Sequence, residues 1–271
     1  MTTVEQAVEA RPSKGSPGWI VVLGQELRDL WLGGRGLVLC FAYSILVSAI
    51  AYLVAASTDF NFLEVRESVS LTIQLAVAVS GLLALLVAAD SVSGERERGT
   101  LETLLLTPVS RHELAAGKLF AALSMWLAAF VILIPYVWFL GRDVGVVGDA
   151  LVVGFVVGTL LAVFLVSLGL VISVFVASNR VSLSVSLFLL LAMLAPTQLP
   201  SGAQKGWVGE LFQNVNPLTA GEHYVGKIVV SGHAWGDDAS LLISPIIAAS
   251  VCLALAIMSG RFIRLRRGAA E

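Results

Sequence analysis

Charge is what this sequence has least of. Asp, Glu, Lys and Arg together make up 13% of its 271 residues, about half the share of an ordinary soluble domain. With 57% hydrophobic residues and a mean hydropathy of +0.89, a soluble globular fold is excluded. No sign of charge dominates either: a net charge of -2 sets up no field that would draw in nucleic acid. Cysteine is confined to Cys40 and Cys252, both inside apolar runs, which read as buried thiols rather than a disulfide or a metal pair. Histidine is confined to His112, His223 and His233, all in loops or at the ends of runs.

What is abundant is uninterrupted apolar sequence. A helix crosses a bilayer with about 20 apolar residues, and runs at 37–56, 69–89, 119–140, 150–177, 181–199 and 239–260 meet that length. The fourth is long enough to tilt, and the fifth follows it so closely that the two form a tight helical hairpin. β-Barrel strands would alternate over about 10 residues, which these runs do not. The fold expected is all-α: six transmembrane helices, preceded by an interfacial amphipathic helix, with short re-entrant-like helices before the last span.

Lys and Arg set the orientation. On one side lie Arg11, Lys14, Arg28 and Arg35, then Arg96, Arg98, Arg111 and Lys118, then Arg180, then Arg261, Arg264, Arg266 and Arg267. The other side holds Arg66, Arg142, Lys205 and Lys227. Both termini are therefore expected in the cytoplasm. Trp19 and Trp31 would anchor the inner interface, and Tyr136, Trp138, Trp207 and Trp235 the outer one.

The chain divides accordingly. Residues 1–17, polar and rich in Pro and Gly, read as a flexible cytoplasmic tail rather than a signal peptide. Residues 18–34 read as the interfacial helix, with Trp19, Ile20, Leu23, Leu27, Leu30 and Trp31 on one face and Gln25, Glu26, Arg28 and Asp29 off it. Gly33, Gly34 and Gly36 then favour a bend. Residues 35–260 form the six-helix domain, with a charged loop at 93–117 and an external loop at 200–238, and 261–271 is a basic cytoplasmic tail. In the external loop, Trp207, Val208, Leu211 and Phe212 suit one short amphipathic helix. A second apolar piece at 220–230 follows the "NPLT" break, and both are expected to dip into the outer leaflet or lie on it.

The middles of the six runs hold no Asp, Glu, Lys, Arg or His; Asp90 stands at the cytoplasmic edge of the second. Ion-driven carriers usually need such groups to bind the coupling ion. "HELAA" from His112 starts like a zinc motif but has Ala116 in place of the second His. "GEHYVGKI" from Gly221 imitates a phosphate-binding loop, but Ile228 stands where a Ser or Thr would hold magnesium and no strand precedes it. Glu222, His223, His233, Asp237 and Asp238 read as solvated loop polarity rather than a metal site. "GFVVG", with Gly154 and Gly158, permits close helix approach within this chain or with another. Pro135 and Pro245 lie inside runs and are expected to kink them. Thr159, Ser167, Ser173 and Ser186 are scattered hydroxyls that fit a lipid-like cargo or plain helix packing.

The charge that does exist is concentrated in "SGERERGTLETLLLTPVSRHELAAGK", residues 93–118. The first part extends the second span until Gly99 interrupts it. "TLETLLLTP" makes about two helical turns, with Thr100 as cap and Pro108 as stop. Ser110 and Glu113 form a capping box that starts the third span. Leu101, Leu104 and Leu105 share a face, and a helix this short cannot stand alone. The residues themselves leave open whether that face packs on the chain's own spans or docks in a soluble partner, with Glu95, Glu97 and Glu102 meeting the partner's basic groups.

This block resembles the first cytoplasmic loop of type-2 ABC transporter permeases, with its pattern E-x-E-x-G-T-L-E-x-L-L-x-T-P-[IVL]-S-R and a following G-K, here Gly117 and Lys118. Its form is also similar to permeases found with nitrous oxide reductase maturation systems. The resemblance implies a coupling helix. The expected contacts with the ATPase subunit are Glu95, Glu97, Gly99, Thr100, Leu101, Glu102, Leu104, Leu105, Thr107, Pro108 and Arg111. It implies a non-catalytic, exporter-type permease in the inner membrane, with no cofactor on this chain and with ATP and Mg on the partner. The partners expected are two ABC ATPase subunits, a second permease chain, identical or related, and membrane lipid. Other readings are an ion-coupled carrier or channel, and a non-transporting anchor that relays ATPase motion to an external partner.

Overall fold

A computed structural model describes residues 17–56, 62–102, 109–195 and 215–263. Among these the secondary structure is entirely helical. The helices are α1 (Gly18–Trp31), α2 (Arg35–Ala56), α3 (Phe62–Arg98), α4 (Arg111–Gly141), α5 (Val147–Phe175), α6 (Asn179–Leu194), α7 (Pro217–Val229) and α8 (Ile243–Ser259). Short 3-10 turns at Ala239–Leu242 and Gly260–Phe262 flank α8.

Five helical segments are long and apolar enough to cross a membrane: Arg35–Leu53, Val65–Arg98, Arg111–Gly141, Val147–Phe175 and Ala239–Phe262. The run at 181–199 corresponds to α6, an apolar helix of 16 residues in the described part of the chain. Only Val176, Ala177 and Ser178 separate it from α5, which makes the expected hairpin. α3 and α4 begin well before their apolar runs, because polar residues at their ends continue the helix instead of breaking it.

α3 is the central post. It packs against α4, α5 and α6, while α5 carries α7 and α8 on its other sides. Small residues make the close approaches. A Cβ on Gly158 would lie 2.2 Å from the Trp126 ring, and one on Gly169 would lie 2.8 Å from the Leu85 carbonyl oxygen. Gly154 faces Ile73 and Phe130. The Gly154–Gly158 pair is therefore occupied inside this chain. Thr159 accepts a hydrogen bond from Trp126 Nε1 at 3.2 Å, and Ser173 Oγ accepts from the Ser93 amide at 2.9 Å. Those hydroxyls join helices.

Pro135 sits within α4, as the sequence indicated. Pro245 does not interrupt a helix: it occupies the first turn of α8, where no intrahelical donor is lost. Cys40 is buried and Cys252 half-buried, and both are free thiols. Trp138 is exposed near the end of α4, with the Arg142 guanidinium 5.6 Å from its ring centre.

The segment after α6 departs most from expectation. Trp207, Val208, Leu211 and Phe212 lie outside the described residues. The following piece is α7, capped by the Asn216 side chain on the Leu218 amide at 3.1 Å, with Pro217 at its first position. It does not lie on a surface. Leu218, Tyr224, Val225, Ile228 and Val229 are buried against the bundle. The phosphate-loop lookalike falls within this helix, and Gly221 is there to let α7 approach Val157 and Leu161.

Candidate functional site

The charged block sits where α3 ends and α4 begins. α3 continues through "GERER" to Arg98, and Gly99 then turns the chain with φ +73°, a left-handed conformation suited to glycine. The Thr100 amide and hydroxyl both donate to the Glu95 carbonyl, at 3.0 and 3.3 Å. Across the gap, Ser110 caps α4: its hydroxyl accepts from the Glu113 amide, and Glu113 accepts from the Ser110 amide at 3.0 Å. The capping box is as expected. The same Glu113 carboxylate also accepts from the Gly18 amide at 3.0 Å, which pins the start of α1 to the start of α4.

The acids of the block are used unequally. Glu95 is turned inward: its Oε1 lies 2.6 Å from Lys118 Nζ, which also donates to Glu26 Oε1 at 2.6 Å and to the Ser91 carbonyl at 2.9 Å. Lys118 is 2% exposed, so it needs these partners. One lysine thus clamps α1, α3 and α4. Within this chain the partner of Glu95 is Lys118 of α4. Glu97 is exposed and accepts from the Asn179 amide at 3.2 Å. Glu102 is exposed, and Leu101 is buried at 1%. Leu101 therefore rests within the chain. Leu104, Leu105, Thr107 and Pro108 lie outside the described residues. Arg111 is exposed and donates to the Arg261 carbonyl at 3.3 Å, while His112 Nδ1 lies 2.8 Å from the Ile257 carbonyl.

A second cluster surrounds Asp90. Arg35 Nη2 lies 2.6 Å from its Oδ2, Arg98 Nη2 3.6 Å, and Asn179 Nδ2 donates to Oδ1 at 2.7 Å. This ties α2, α3 and α6. Arg96 donates to the Val174 and Val176 carbonyls at the end of α5. α1 to α6 are thus joined at one end by charged hydrogen bonds made almost wholly by the last turns of α3 and the first of α4.

α1 is a separate helix, and the break before α2 includes Gly34 with φ +82°. Val22 and Leu30 bury against the bundle, and Ile20 and Val21 are exposed. Glu26, assigned to the polar face by sequence, lies on the packed side because Lys118 holds it. Gly117 makes the contact possible: a Cβ there would lie 2.6 Å from Val22 Cγ1.

The profile of the family described as "ABC-2 family transporter protein" matches residues 20–264. The chain belongs to this family. Among curated proteins, this ABC-2 family chain is 35% identical over 97 residues to a "Probable ABC transporter permease protein NosY" of Stutzerimonas stutzeri. It is 36% identical over 97 residues to the protein of the same name from Pseudomonas aeruginosa. Each match covers 35% of this chain and 34% of the relative, so the chain spans about a third of the length of the curated relatives it matches.

The chain's motif residues therefore fall into two groups. Glu95, Leu101, Gly117 and Lys118 hold the end of the bundle together. Glu97, Gly99, Thr100, Glu102 and Arg111 form its exposed edge. Sequence reasoning missed Glu26, Arg35, Asp90 and Asn179 as partners. The one usable signal was the Gly-Lys pair at 117–118, a lone cation at the mouth of an apolar run.

Proposed function

We propose that this chain is the membrane permease subunit of an exporter-type ABC transporter, driven by separate ATPase chains that bear on the 93–117 loop. The observation that carries this reading is the form of α3. It is a single 37-residue helix, about 55 Å long, that ends in the exposed edge Glu97–Thr100, with Glu102 just beyond. A push on that edge would move the entire helix. The Lys118 and Asp90 clusters would carry the same push to α1, α2, α4 and α6.

In this reading α6 belongs to the fifth of six crossings, and α1 lies at the inner membrane interface with Ile20 and Val21 toward lipid. Both termini lie in the cytoplasm of a cell with the chain in its inner membrane. The apolar side chains that α2 turns outward, among them Val38, Phe41 and Ile45, would meet lipid or a second permease chain. ATP and Mg reside on the partner, and this chain is not itself an enzyme. ATP can shift the permease only if its ATPase-bound form favours one arrangement of the bundle over another.

Glu102→Lys tests the reading because it inverts the charge of an exposed, unburied position. The measurement is ATP hydrolysis by the co-purified ATPase, with and without the permease in lipid. The expected outcome is loss of permease-dependent stimulation, about tenfold, at an unchanged thermal midpoint for the permease. Unchanged stimulation would count against the loop as the contact.

A further inference from the structure

The other end of the bundle holds a feature that the coupling reading does not use. Counting from Glu95 to Gln74 along α3 gives about 32 Å of helix, roughly a hydrocarbon core away from the charged block. There α3 presents Glu67, Ser70, Leu71 and Gln74 at helical spacing, and α7 presents Thr219, Glu222, His223 and Gly226. The two stripes face each other across a cavity of about 500 Å³. Gln74 Nε2 closes one side by donating to Ser70 Oγ at 3.0 Å and to the Glu222 carbonyl at 3.3 Å. Gly226 leaves the wall open, since a Cβ there would meet only Gln74, at 3.8 Å.

Two polar groups in this cavity lack what burial demands. Thr219 is 5% exposed, and its hydroxyl has no hydrogen-bond partner. The Glu222 carboxyl is largely withdrawn from water, and its desolvation pushes the pKa up to about 7, with no neighbouring cation offsetting it. Among the described residues the charged groups around it are few. Glu67 on α3 and His223 on α7 are exposed. Lys227 lines the cavity too, with its ammonium 3.6 Å from Asp238, which His233 also holds at 2.6 Å. α5 offers only Val157, Leu161 and Leu165 beside Glu222. Its lining holds two carboxylates, Glu67 and Glu222, against one lysine that Asp238 shares, and the space is far larger than a bare ion. Among the described residues no group of three or more His, Cys, Asp and Glu is placed to hold a metal.

We propose that this cavity binds an organic cation, a protonated amine whose N–H groups are accepted by the Glu222 carboxylate and the Thr219 hydroxyl. The ammonium supplies a positive charge beside the Glu222 carboxylate and an N–H for the Thr219 hydroxyl. The same chemistry is carried by a free amine and by an ethanolamine lipid headgroup.

The test uses the full chain alone in phosphatidylcholine nanodiscs, whose headgroup has no N–H, so it is independent of any ATPase and its failure leaves the permease reading standing. Labelled ethanolamine, which stays protonated throughout, is titrated by saturation-transfer NMR at about pH 6 and about pH 8. Binding is expected to be about tenfold weaker at the lower pH, because Glu222 is then mostly neutral. Glu222→Gln should abolish both the binding and its pH dependence. Thr219→Val should weaken binding severalfold and keep the pH dependence. Phosphatidylethanolamine in the disc displaces the probe if the occupant is a lipid headgroup and leaves it bound if the occupant is a soluble amine. Binding by the wild type that ignores pH, or equal binding by Glu222→Gln, would overturn the proposal, and the wild-type pH series decides even where a variant does not fold.

Discussion

Lys118 shows how much one residue can organise in a chain with so little charge. Its ammonium is fully enclosed and satisfied by Glu26, Glu95 and the Ser91 carbonyl. Removing it leaves two carboxylates facing each other without a cation. Lys118→Met is therefore expected to destabilise the chain by about 3–5 kcal/mol, read as a lowered thermal midpoint in detergent or lipid. Adding Glu26→Gln and Glu95→Gln to the same variant should recover most of the loss, since the unpaired charges then disappear. A Lys118→Met chain as stable as wild type would mean the clamp carries no weight. None of this was legible in sequence beyond the Gly-Lys motif itself, because the partners lie 92 and 23 residues away and adjacency across helices has no local signature. Glu222 misled for the same reason: in the sequence it stands among loop polar residues, whereas packing of α7 on α3 takes it out of water.

At the scale of the element, local chemistry read well and long-range packing did not. The extension of α3 to Arg98, the stop at Gly99 and the Ser110–Glu113 capping box all depend on residues within a turn of one another. Each is found where the sequence indicated. The Gly154–Gly158 pattern marked only that something comes close; the partner is the Trp126 ring of α4. Gly158→Leu would force that ring out of its slot and away from Thr159. Overpacking of this kind typically costs about 1–3 kcal/mol. The expected readout is a lower unfolding midpoint with a red-shifted Trp emission, and no change in oligomeric state. A change in oligomeric state at unchanged stability would move this glycine pair to an interface between chains. The short helix α7 proved harder to place because apolar residues at 220–230 suit a bilayer surface and a protein interior equally well.

Across the whole molecule, the two ends have different chemistry. One gathers the ion pairs of Asp90 and Lys118 and the exposed Glu97–Glu102 edge. The other holds a cavity with unmet polar groups. α3 runs between them as one helix, the route by which the proposed push at the first end would reach the second. Apolar composition made the membrane class legible, and run length located every long span. The bracing that makes the charged end rigid came only with the structure. The central claim is that this braced edge is where an ATPase bears. The most direct measurement places a photo-crosslinking amino acid at position 102 in the native membrane and identifies the joined protein by mass spectrometry. The account predicts a nucleotide-binding ATPase chain, cross-linked from the cytoplasmic side. Cross-linking only to lipid or to proteins outside the cell, with the ATPase present in the same membrane, would contradict it.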